Sequence, residues 1–357
     1  MPPAIVDVFN NFRAQLLRQE EAAMREMAGR WLQVEQALSA SMDALTLELA
    51  NEGLASAEQL MRSRRFQALM VQTRDELRRY ERYLEPRIEA GQRNMITQAI
   101  QHSETAVQAV AQQAQITVPW NRLPVRNVEG MVGLAGDGSP LADVLADAST
   151  AGVDALRQQL VRGIALGVNP NEVARRAIRL GLGQSFTRMA AISRTEQLRV
   201  YRLTSLESYA NSRVVVGYKR LSARDNRVCP ACLFADGQQY QIEHGFDEHV
   251  QGRCTMIPVL ANVPPIRYET GQEWFARQPE GTQLEILGRG RFDLWRRGEA
   301  SLTDMVSRDW SDTWGGSLRV TNVGRLRSGA GRVWAGGGPV APPSVPALRD
   351  VAGLGVD

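Results

Sequence analysis

Four side chains in the middle of the chain have the types and spacing to hold a metal ion. Cys229-Pro230-Ala231-Cys232 is a C-x2-C pair, and His249 and Cys254 follow it. Such a pair makes a tight knuckle that offers two thiolates to one ion, and a later imidazole and thiolate complete a tetrahedral set. Sulfur and nitrogen donors at this spacing suit zinc, so one structural Zn2+ is the expected cofactor. The competing reading is three small buried thiols beside an incidental histidine. His244 is an alternative to His249, and the chain has only 3 histidines, which keeps the choice narrow. Asp236-Gly237 and His244-Gly245 supply turns that fold the segment back on the knuckle. All 3 cysteines lie here, which suits a metal site or free thiols better than a secreted disulfide framework.

The elements around this segment are mostly helical. Met24, Met27, Trp31, Val34, Leu38, Met42, Leu45 and Leu49 step by three and four, which lays an apolar stripe along one helical face. Phe66, Met70, Leu77, Tyr80, Leu84 and Ile88 continue the pattern, with Pro86 expected to kink or break it, and helix-favouring sequence resumes from Met95 to Gln115. Residues 1–118 therefore read as a helical hairpin or bundle, with an assembly surface as the competing use of the stripe. Pro119, Pro124, Gly130, Gly133, Gly136, Gly138 and Pro140 then break any helix, so 119–145 is a crossing segment. Helices return, with Asn169-Pro170 as a turn and cap, and another helix spans Ser185 to Asn211. Val214, Val215, Val216 and Tyr218 open the first strand signals. Residues 146–265 make a compact α+β module, 266–320 a Trp-rich helical segment, and 321–357 an extended Gly/Pro-rich arm that orders only against partners. The expected fold class is thus mainly α with a small α+β module.

Composition narrows the function classes. With 357 residues and 43% hydrophobic content the chain can build two or three packed domains. No apolar run approaches the roughly 18–20 residues of a membrane span, and Met1 to Asn10 lacks the pattern of a signal peptide, so a protein made in a cytoplasm without membrane contact is expected. The net charge of +3 gives no global basic field. Lys219 is the only lysine, so 41 of the 42 basic residues are arginine, a skew that fits codon bias as well as phosphate contact. Arg213, Arg220, Arg224 and Arg227 are the candidate DNA contacts, against the plainer reading of a solvated face.

The order Ser193-Arg194-Thr195-Glu196, Tyr218-Lys219-Arg220, Asp225-x-Arg227-x-Cys229-x-x-Cys232, Asp236-Gly237, His249 and Cys254 resembles the Mu F-like minor head protein family of tailed phages. The resemblance covers about Ala151 to Val263 and implies a compact head-morphogenesis domain with a Cys/His knuckle. It also implies a structural minor head (capsid) protein, not an enzyme, placed in the virion near the portal vertex and assembled in the host cytoplasm. Its partners would be the portal protein and other head proteins, with multiple copies per virion allowed. In the family's closing motif a cysteine often stands where this chain has Gly252, and a proline where it has Val250.

The rival class is an enzyme. A zinc-supported nuclease of the HNH type would also join a cysteine knuckle to histidines, and Asp247-Glu248-His249 lies near Cys254. Such a site needs a catalytic histidine besides its ligands, and His102 lies far off in a helical region. A toxin-fused relative would need a further catalytic module after the knuckle. Glu196 and Asp225 read as partners of internal ion pairs or caps, so no catalytic residue is assigned.

Overall fold

The computed structural model describes residues 5–52, 56–225, 227–264, 266–311 and 315–328. The chain divides into two compact units. One comprises Phe12–Ile96 with Glu129–Val200; the other comprises Met1–Asn11, Thr97–Val128 and Tyr201–Asp357.

Helices dominate. Helix α1 spans Ile5–Glu52, the short α2 spans Ala57–Arg62, and α3 spans Arg64–Gln113. A reciprocal capping box between Ser56 and Gln59 starts α2 by satisfying two orphan amides. Pro86 neither ends nor interrupts α3, contrary to the expected break. Pro86 and Arg82 both face solvent, so water can meet the carbonyl that the missing N–H leaves unpaired.

In the first unit the α1 stripe is covered by the chain itself. Met27, Trp31, Val34, Leu38, Met42, Leu45 and Leu49 are buried, and Trp31 meets Tyr80 edge-on at 5.0 Å. The Tyr80 hydroxyl donates to the Met27 carbonyl at 3.0 Å, so burial leaves no orphan on the ring. Helix α4 spans Leu141–Ala165 and α5 spans Pro170–Arg176, the latter capped by the predicted Asn169, whose side chain accepts from the Asn171 amide. A π turn over Ala177–Leu182 leads directly into α6, Gly183–Ser212. Glycines let these helices meet closely. A Cβ on Gly181 would lie 2.7 Å from the Leu156 Cα, and one on Gly152 would lie 2.6 Å from the Ser185 Cβ.

In the second unit a three-stranded antiparallel sheet has the order β2-β1-β3, with β1 at Val215–Leu221, β2 at Gln239–Tyr240 and β3 at Thr255–Leu260. Pro258 sits on β3, an edge strand, where its missing N–H costs no ladder bond. Gly217 is required because a Cβ there would lie 2.5 Å from the Tyr240 carbonyl oxygen. Between β1 and β2 lies α7, Pro230–Ala235, all six residues of which are buried.

Beneath α7 lies an aromatic core. It is supplied by α8 (Gly271–Ala276), α9 (Glu280–Leu287), α10 (Arg289–Arg296), a hairpin of β4 (Val306–Ser311) and β5 (Gly315–Val320), and α11 (Val323–Arg327). Phe234, Phe275, Leu287, Phe292, Leu294, Met305 and Leu318 are among its members, with Phe275 edge-on to Phe234 at 5.9 Å and to Trp295 at 5.4 Å. The hairpin corrects the helical assignment of 266–320. Val306 and Trp310 favour a pleated surface, and paired glycines follow at Gly315 and Gly316, so the aromatic-rich run divides between helix and strand. Of the predicted arm, Leu326 is buried in this core, and residues 329–357 lie outside the described residues.

Candidate metal centre

Helix α7 positions the knuckle. Cys229 is its N-cap, Pro230 its first residue, and Cys232 follows one turn on. On the other side of the site β3 begins directly after Cys254, and the preceding turn carries Glu248, His249 and Gly252. Asp225 ties the two sides together: its carboxylate accepts from both terminal nitrogens of Arg253 at 2.6 and 2.9 Å, and from the Arg227 amide at 3.0 Å. A fork-to-fork pair of this kind fixes orientation as well as distance.

The four predicted ligands are brought together, in two overlapping sets. Donor atoms of Cys229, Cys232 and His249 lie within 4.8 Å of one another, and so do those of Cys232, Glu248 and Cys254. Cys232 belongs to both sets. Cys254 and Glu248 are buried with it, whereas Cys229 and His249 are half-buried at the outer edge. His249 is oriented for ligation. Its Nδ1 lies 2.9 Å from the Val250 carbonyl, which can only accept, so Nδ1 carries the proton and Nε2 is left facing the cluster. His244, the alternative ligand, joins neither set.

Glu248 is the residue that spacing arguments missed. Its Oε2 accepts from Arg220 Nη2 at 2.9 Å, and both side chains are 2% exposed. Its Oε1 lies 3.4 Å from Cys232 Sγ and 3.5 Å from His249 Nε2. The same carboxylate explains Gly252. A Cβ at that position would lie 2.2 Å from Glu248 Cδ and Oε1, so the carboxylate fills the space that any side chain at 252 would need. Nothing in the local spacing signals this; the available hint was a carboxylate directly beside the proposed histidine ligand.

Two buried arginines surround the centre. Arg220 donates to the Asp247 carbonyl at 2.6 Å and to Cys232 Sγ at 3.7 Å, and its guanidinium lies 4.3 Å from the centre of the Phe246 ring. Arg202 donates to the Gly252 carbonyl at 3.1 Å and, among the described residues, has no carboxylate within ion-pair distance. Burial pushes the Arg202 guanidinium down against the pull of Glu248, Cys254 and Cys232. Burial also opposes ionisation of Glu248, but Arg220 and Arg202 hold its carboxyl below the usual range.

The thiols respond to one another. A hydrogen bond from Cys232 lowers Cys229 to about 4 against burial, with His249 assisting. Cys232 is pushed well above the usual thiol range by Cys229 and Cys254 and then by burial. His249 is raised to about 9 because Cys229 and Glu248 outweigh the cost of burying its charge. These shifts favour the thiolate at Cys229 and the imidazolium at His249, so binding of an ion there would release protons. Three sulfurs, one oriented imidazole and one carboxylate, matched by two buried cations, fit a divalent ion.

The other sequence candidates fall into structural roles. Arg220 serves Glu248, and Arg224 forks onto Asp236 at 2.9 and 3.0 Å, which leaves Arg213 and Arg227 as the exposed members of the proposed DNA-contact group. Asp236 does more than turn the chain: it also accepts from the Ser222 amide and hydroxyl at 3.0 and 2.7 Å, while Gly237 takes the left-handed φ of 87°. Glu196 pairs with Arg199 at 2.6 Å, as expected of an internal ion pair. His102 is buried against the Tyr201 hydroxyl at 2.9 Å, and burial lowers it to about 4. No helix among the described residues is long and apolar enough to cross a membrane. Compared with protein-family models, with curated proteins and with solved structures, the chain gives no match.

Proposed function

We propose that this chain is a structural minor component of a tailed-phage head, acting at or near the portal vertex, and that its knuckle module holds one structural zinc ion. The observation that carries the reading is the convergence of Cys229, Cys232, His249 and Cys254 on one largely buried centre. The head role is supported by the ordered motif from Ser193 to Cys254 and rests on that resemblance. The apolar stripe of α1 is occupied inside the chain, so surfaces other than that stripe would meet the portal and other head proteins.

A buried thiolate set suits a structural ion better than a catalytic one, since catalysis needs a position open to substrate. The test has two parts. Elemental analysis of protein purified without chelator should find about one zinc per chain; a metal-free protein with freely reacting thiols would refute the metal reading. Affinity-tagged chain expressed with its phage should sediment with heads and portal; its absence from purified particles would refute the virion reading.

A further inference from the structure

We propose that Glu248 is a fifth ligand of this centre through Oε1, beside Cys229, Cys232, His249 and Cys254, and that Arg202 and Arg220 are built counter-charges for a single-ion site of mixed sulfur, nitrogen and oxygen donors. The inference rests on the metal reading above and deepens it.

The first argument is geometric. With bonds of about 2.3 Å to sulfur and about 2.0–2.1 Å to nitrogen or oxygen, a sulfur and an oxygen ligand separated by roughly 110° at one zinc ion stand about 3.5 Å apart, and a nitrogen and an oxygen about 3.3 Å. Oε1 lies 3.4 Å from Cys232 Sγ, which both sets share, and 3.5 Å from His249 Nε2, so it stands at ligand spacing from these two donors. Arg220 clamps the other oxygen, Oε2, at 2.9 Å, which turns Oε1 towards the sulfurs. Gly252 keeps the place clear, because any Cβ there would overlap the carboxylate.

The second argument is charge. Two guanidiniums buried beside one carboxylate leave a positive excess, and an excess charge taken out of water is unfavourable unless it is neutralised. Three thiolates, one carboxylate and one divalent ion sum to minus two, which Arg202 and Arg220 neutralise. Two divalent ions bridged by Cys232 would instead leave both arginines uncompensated. Charge balance therefore selects one ion, although the donors fall into two sets.

The experiment uses the full chain loaded with zinc or with cobalt(II). Zinc K-edge absorption fine structure should show two light ligands, nitrogen and oxygen, alongside sulfur. Glu248→Gln should shift the cobalt d–d bands and weaken zinc by more than the roughly 10–100-fold that loss of an outer partner costs. Arg220→Met, which removes the clamp and leaves the ligand, should weaken binding without moving those bands. A wild-type sphere of three sulfurs and one nitrogen, or superposable cobalt spectra for wild type and Glu248→Gln, would overturn the assignment of Glu248 while leaving the metal reading intact. A wild-type chain that takes up neither metal would overturn the metal reading itself, and this inference with it. Should Glu248→Gln fail to fold, the wild-type absorption measurement still decides the matter.

Discussion

Gly252→Ala tests the centre with a single methyl group. The backbone at Gly252 does not have the positive φ that would strain alanine, so the cost comes from the neighbour. The added carbon would lie 2.2 Å from Glu248 Cδ and Oε1 and 2.3 Å from Cγ, so the stem as well as the tip of Glu248 has to move. Movement on that scale breaks the ion pair with Arg220, whose partners are each 2% exposed. Breaking a buried pair costs about 3–5 kcal/mol, because a charge is left without its partner. At about 1.4 kcal/mol per decade, that is roughly a hundredfold or more in the folding equilibrium. At about 2–4 °C per kcal/mol it is a fall in Tm of roughly 6 °C or more. Calorimetry on four proteins closes a double-mutant cycle: wild type, Gly252→Ala, Glu248→Ala and both together. With Glu248 shortened the methyl has room, so Gly252→Ala should then cost within about 0.5 kcal/mol of nothing. An equal cost in both backgrounds would refute the account of Gly252 as space kept for the carboxylate.

Three further outcomes are expected. Chelation should raise hydrogen exchange across 213–263 while the helices on either side of that segment stay protected, and Cys229→Ser should do the same; global melting on chelation would contradict this, since residues from Phe275 to Leu326 supply much of the core packed against α7. His102, held near 4 when folded against 6.5 unfolded, takes up its proton more readily in the unfolded chain, so stability should fall as pH drops from about 6.5 to 4 by up to about 3 kcal/mol. His102→Gln should flatten that part of a denaturation profile, and an unchanged slope would show that the ring is not the cause. Gly29→Ala, with open space around its Cβ on the exposed face of α1, should stabilise by up to about 1 kcal/mol, whereas Gly181→Ala should destabilise because Leu156 backbone lies 2.7 Å away. Denaturant midpoints that move in the same direction for both would refute the packing argument.

The sequence made the regular features readable because they are local. Three-and-four spacing marks the stripe of α1, Asn169 caps α5, and Asp236-Gly237 turns where a positive φ is needed. The knuckle was readable too, since C-x2-C spacing is itself a geometry. Glu248 was not, because its importance comes from Arg220, 28 residues earlier, and from sulfurs on another element. Gly252 stood out as a departure, but its reason is the position of Glu248 in space. The β4–β5 hairpin escaped because an aromatic-rich run serves a helix face and a strand face equally well. Arg220 read as a surface cation, since nothing in a sequence distinguishes an arginine facing solvent from one facing a buried carboxylate.

The π turn over Ala177–Leu182 constrains how this chain can vary in length. A π turn is in effect one surplus residue wound into a helix without a loop to absorb it. Deleting one residue there would restore ordinary winding and rotate everything downstream by about 100° relative to α5. Met189 and Ile192, which are fully buried, would swing out of the interior together, and the Gly181 contact with Leu156 would be lost at the same stroke. The turn therefore acts as a phase-keeper. Homologues should tolerate insertions in the loop before α5 and almost none between residues 177 and 200, so the spacing from Gly181 to Ile192 should be more constant than the identities of the residues between them.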